Sequence, residues 1–245
     1  MAGVMSFLLV DLDALIAIIP FPDGQRAELP PWYLLKLASV AQPAVLTTIA
    51  GLAGLWMAPK VGLRAPAAEA FSSGESYFRA LRPQILPGIV AGLVAGLLIV
   101  LSWVIVKPYL SEEFVTRSES FNKMIPSVVR FLYGGLTEEV LLRWGMMTFL
   151  IWFISALLRR EVPATWMYVS AILFSSLLFG AGHLPIASLL NGGLTPVLTL
   201  YVITVNALFG IFAGILYWKR GLESAMIAHI CAHVVLFSAA SVTLE

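Results

Sequence analysis

The chain reads as an all-α protein, a polytopic membrane bundle of six to seven transmembrane helices. Three observations predict this. Hydrophobic residues make up 60% of the 245 positions and charged residues only 12%, which is more apolar side chain than a soluble domain of that length can bury. The mean hydropathy is +0.91. Uncharged stretches recur, from Leu37 to Pro59, Pro83 to Val106, Val162 to Trp218 and Ser224 to Leu244, and a span needs roughly 20 apolar residues.

The elements follow in chain order. FLLVDLDALIAIIPFP, near the N-terminus, holds Asp11 and Asp13 too close to its centre for a comfortable span. Residues 1–36 are therefore expected to form an interfacial or re-entrant segment, with a seventh span as the alternative. Residues 37–125 hold two spans and their aqueous connections; segments 60–82 and 107–125 are the only ones outside the membrane able to hold much structure. Residues 126–245 form the remaining core. Its first span ends at Arg159-Arg160. The long stretch after it holds two more, near 166–184 and 195–218, separated by HLPIASLLNGGLTP, whose Pro185, Asn191-Gly192-Gly193 and Pro196 break helices. The last stretch is the sixth span. The N-terminus does not have the pattern of a signal peptide, and Cys231 is the sole cysteine, so no intrachain disulfide forms. A net charge of +1 argues against nucleic acid as a partner.

Against this background TEEVLLRW, residues 137–144, is out of place. An ionised side chain at the bilayer centre costs about 2.5–3.5 kcal/mol on insertion scales. On an α-helix Glu139 and Arg143 are i and i+4 with the acid first, the favourable order for an ion pair. Glu138 lies about 100° around the helix from Glu139 and has no local partner. The cluster has a structural reading as helix-helix glue and a second as an ion or proton path. All three histidines, His183, His229 and His233, fall within the expected spans or at their ends. His229 and His233 are i and i+4 on one helix face, so two imidazoles can converge on one atom or ion.

Three motifs now stand in order: EEVLLR (138–143) fits EExxxR, FGAGH (179–183) fits FxxxH, and AHICAH ends with two histidines four apart. Together they resemble the intramembrane proteases of the CPBP family (CAAX protease and bacteriocin-processing), which includes the Rce1-type CAAX prenyl endopeptidases and the bacterial Abi proteins. The resemblance covers roughly residues 126–240. It implies hydrolysis of a peptide bond in a membrane-associated or lipid-modified protein, inside the bilayer. By motif position it makes Glu138 the base that activates water, His183 its assistant, and His229 and His233 the groups that stabilise the oxyanion. The residues agree on Glu138, since an unpaired carboxylate in an apolar wall is a better base than an exposed one.

The family commonly has asparagine where this chain has His233. A histidine offers one N–H and one lone pair in place of an amide, so a zinc site of Glu138, His183, His229 and His233 is an alternative; the preferred reading requires no cofactor. Asn206 is a candidate to supply the missing amide, and Glu139 and Arg143 support the site as a neutral pair. Counting about 1.5 Å per residue from the end bearing Arg159-Arg160 and Lys219-Arg220 spreads the four residues: Glu138 at roughly 30 Å, His183 at roughly 26 Å, His233 at roughly 20 Å and His229 at roughly 15 Å. The expected partners are a peptide or protein substrate and the lipid bilayer, in the inner (plasma) membrane of a prokaryotic cell. Two other function classes compete. A catalytically silent immunity or scaffold protein would keep its function without Glu138, and a proton-coupled transporter would show flux without proteolysis.

Overall fold

The structure, a computed structural model, describes residues 1–20 and 29–242. Those residues form helices and no strands. Six helices among them are long and apolar enough to cross a membrane. The protein is a multi-pass integral membrane protein.

The N-terminal segment makes two short helices, α1 (Ala2–Ser6) and α2 (Leu12–Ile18), neither long enough to span. Asp11, awkward within a span, is the N-cap of α2, its carboxylate accepting from the Ala14 amide at 3.1 Å. Residues 21–28 of this segment lie outside the described residues. The first span, α3, runs Trp32–Met57. A short helix, α4 (Pro66–Ser72), precedes α5 (Tyr77–Val106), whose start is capped by Ser76. Pro43, Pro83 and Pro87 sit inside α3 and α5; neighbouring helices and local adjustment accommodate such residues in a membrane. After α5 the amphipathic α6 (Glu112–Met124), capped by Ser111, lies outside the spans.

The third span, α7 (Ser127–Leu157), departs from the expected α-helix. It is wound as a π-helix over Arg130–Glu138 and again over Val140–Met147. Such i→i+5 winding is rare, and it concentrates at functional sites. The α-helical angles expected for Glu138 and its neighbours therefore do not apply.

The remaining spans are α8 (Thr165–Gly182), α10 (Pro196–Lys219) and α11 (Leu222–Val242). Between α8 and α10 lies a difference from the sequence reading: Leu184–Asn191 is not a loop but a further short helix, α9. Pro185 occupies its first turn, where proline starts a helix instead of breaking one. Gly192, at φ +71°, ends it.

The helix carrying His229 and His233 is held by close packing. Gly88, Gly92 and Gly96 of α5 face α11 at four-residue intervals, and a Cβ on Gly92 would collide with the Ala228 carbonyl and the Cys231 side chain. Without a hydrophobic force between helices in lipid, such small residues let backbones approach. The N-terminal end of α11 is pinned as well. Leu222 N donates to Arg64 O, the Ser224 amide donates to Gln84 Oε1, and Glu223 Oε1 accepts from the Ala67 and Ala68 amides. Gly92→Leu is expected to lower stability by about 1–3 kcal/mol, because backbone and not a flexible side chain blocks the space. Thermal unfolding in detergent micelles measures it, and an unchanged midpoint would refute the packing argument.

Candidate active site

Glu139 is the most enclosed member of the TEEVLLRW cluster, 0% exposed, and Arg143 is 1% exposed. The ion pair expected from the sequence is present: Arg143 Nε lies 3.2 Å from Glu139 Oε2. The guanidinium also donates to the Gly210 carbonyl at 3.3 Å and sits between the Phe179 and Phe209 rings, 5.2 and 5.7 Å from their centroids. Self-neutralisation is only part of Glu139's role. Its Oε1 accepts a 2.7 Å hydrogen bond from His229 Nδ1. With the Arg143 guanidinium beside the carboxylate, Glu139 is the acceptor and Nδ1 the donor, a tautomer that in the neutral ring leaves the lone pair on Nε2.

That Nε2 faces Glu138, 3.8 Å from Oε2. The spread counted along straight α-helices is thus corrected: Glu138 and His229 stand side by side. Wider π turns advance less per residue, so α7 is shorter than an α-helix of the same sequence, and equal rises along separate helices do not measure equal depths.

His183 sits at the break between α8 and α9, with φ −90° and ψ −9°. Its amide bonds Gly180 O, which leaves the Phe179 carbonyl without the amide an unbroken helix would supply. The His183 ring takes that place, Nδ1 donating to Phe179 O at 2.8 Å. Its Nε2 therefore holds the lone pair too.

Glu138 and His183 line one cavity of about 560 Å³ formed by α3, α7, α8 and His183. Its walls are mostly apolar. Exposed Leu46, Ile49, Phe149 and Leu178 mark its lipid-facing side. The other sequence candidates do not line it. His229 and His233 stack on each other, centroids 4.9 Å apart at 15°, and neither lines the cavity. His233 Nε2 abuts Gly134, where an added Cβ would be 2.5 Å away. Asn206 does not line the cavity, and its Nδ2 donates to Val202 O at 2.8 Å within its own helix. As the side chains stand, the four zinc candidates do not converge. Both Nδ1 atoms of His183 and His229 are engaged, and among the described residues no three His, Cys, Asp or Glu side chains are grouped to hold a metal ion.

Two features escaped the sequence. The bond from His229 to Glu139 joins residues 90 positions apart, and nothing in EExxxR announces it. Tyr133 also lines the cavity. It is five residues before Glu138, a spacing that means proximity only once the helix is known to be π-wound.

No curated protein and no solved structure matches the chain. Residues 120–235 match the family described as type II CAAX prenyl endopeptidase Rce1-like. The match covers α7 with its EExxxR motif, the His183 break and both histidines of α11, the part of the chain that builds the site, and it is to this family that these residues are similar.

Proposed function

We propose that the protein is an intramembrane endopeptidase that hydrolyses a peptide bond in a membrane-associated or lipid-modified substrate, using water activated by Glu138. The observation that carries this reading is that Glu138 and His183 line the same mostly apolar cavity inside a membrane bundle. A carboxylate and an imidazole lone pair can each accept one hydrogen of the same water. Glu138 takes the proton as the water oxygen bonds the scissile carbonyl carbon. The carbonyl electron pair moves onto oxygen, and when the C–N bond breaks Glu138 returns the proton to the leaving amine. His183 holds the water, and Glu139 with Arg143 holds His229 beside Glu138. The apolar, lipid-facing walls suit an acyl or prenyl chain, in line with the CAAX-type substrates of the family.

Mass spectrometry of membranes from cells making the wild type or Glu138→Gln tests the reading. A peptide bond cut only by the wild type supports it, and identical peptide sets would overturn it. Cleavage in proteoliposomes is further expected to survive a zinc chelator. Loss of activity on chelation, restored by zinc, would replace the metal-free reading with the zinc one.

A further inference from the structure

Stabilising an oxyanion requires a donor on the cavity wall, and the histidines do not offer one. His183 spends its Nδ1 proton on the Phe179 carbonyl and His229 spends its own on Glu139, so the Nε2 atoms are acceptors. His233 and Asn206 do not line the cavity. The polar side chains that do are Glu138, His183 and Tyr133. Of these only the phenol is an O–H donor that keeps its proton at neutral pH.

Three observations place that phenol for use. On a straight α-helix a residue five positions before Glu138 would point well away from it. Here Arg130–Glu138 is π-wound, and i→i+5 winding brings Tyr133 and Glu138 to the same wall. The ring is also braced from outside the span. Phe7 packs edge-on against it at 4.6 Å and 84°, and Gly3 of α1 approaches so closely that a Cβ would strike the Leu132 carbonyl and Thr137 Oγ1. Finally, the Tyr133 hydroxyl makes no hydrogen bond to a described residue, although it lies within electrostatic reach of the Glu138 carboxylate. Half-buried phenols ordinarily find a partner.

We infer that Tyr133 is a catalytic residue of the proposed peptidase, its hydroxyl donating to the oxyanion that forms when water adds to the scissile carbonyl. The inference rests on the proposed function. No proton leaves the phenol: the hydrogen bond shortens as charge builds on the carbonyl oxygen and relaxes when the C–N bond breaks.

The test uses full-length protein in proteoliposomes and a synthetic peptide spanning the bond recovered in the mass-spectrometric comparison. Tyr133→Phe keeps the ring and its contact with Phe7 and removes a hydroxyl that bonds no described residue, so its unfolding temperature should match the wild type. Its kcat is expected to fall by about 10²–10³-fold with little change in KM. A phosphinate analogue of the same peptide, which carries the tetrahedral oxyanion permanently, is expected to bind the variant more weakly by a comparable factor. Unchanged kcat in Tyr133→Phe, with Glu138→Gln inactive, overturns this inference alone. Reduced kcat with undiminished phosphinate affinity overturns it too, since the hydroxyl would then act elsewhere than on the oxyanion. If the wild type and Glu138→Gln cleave nothing different, the proposed function fails and takes this inference with it.

Discussion

Glu138→Gln is expected to reduce peptide cleavage by about 10²–10⁴-fold and to leave the unfolding temperature where it is. The two halves of that expectation come from different observations. An amide cannot take a proton from water, so the step assigned to the carboxylate is lost while shape and volume are kept. Stability should not follow, because Glu138 stands outside the buried charge pair. Its side chain is 20% exposed, and its polar neighbour across the bundle, His229 Nε2, is 3.8 Å away, too far for a hydrogen bond. An amide at this position stays on the cavity wall and strands no partner. The measurement is steady-state cleavage in proteoliposomes beside thermal unfolding in the same lipid. Wild-type turnover would remove Glu138 as the base, and a large drop in unfolding temperature would mean that it is part of the structural cluster after all.

The bundle was legible because lipid imposes a coarse rule that composition obeys. A span must be long, apolar and internally hydrogen-bonded, so the uncharged stretches locate five of the six helices, and the sixth, α7, is placed by the apolar run that ends at Arg159-Arg160. The Glu139–Arg143 pair was legible for a similar reason, since two buried charges four residues apart have few other solutions. What the sequence did not carry is helix winding. Nothing in RFLYGGLTEEVLLRWGMM distinguishes π from α by apolar period, and that difference decides which residues share a wall with Glu138. It brings Tyr133 in. Short helix α9 is hidden in the sequence because Pro185 reads as a breaker, whereas its place in the first turn makes it a starter. The His229–Glu139 bond was out of reach for a third reason: it joins α11 to α7, and only tertiary packing, guided by the glycines of α5, sets that distance.

Arg143→Met is expected to destabilise the protein by about 3–5 kcal/mol, and adding Glu139→Gln is expected to recover most of the loss. The guanidinium is 1% exposed and the carboxylate 0%. Removing the arginine leaves the fully buried Glu139 charge with no partner but the His229 N–H. Methionine itself should fit, since Phe179 and Phe209 already present ring faces to this side chain. The cost should therefore come from the stranded charge and not from lost volume, and neutralising that charge is the direct check. Glutamine at 139 removes it, and its amide oxygen can still accept from His229 Nδ1, so the double variant keeps the imidazole oriented while losing both ions. A double-mutant cycle on unfolding in detergent micelles reads the coupling. Additive losses would show that the two side chains act separately. A stable Arg143→Met would show that His229 alone can hold the Glu139 charge, and the arginine would then need another explanation.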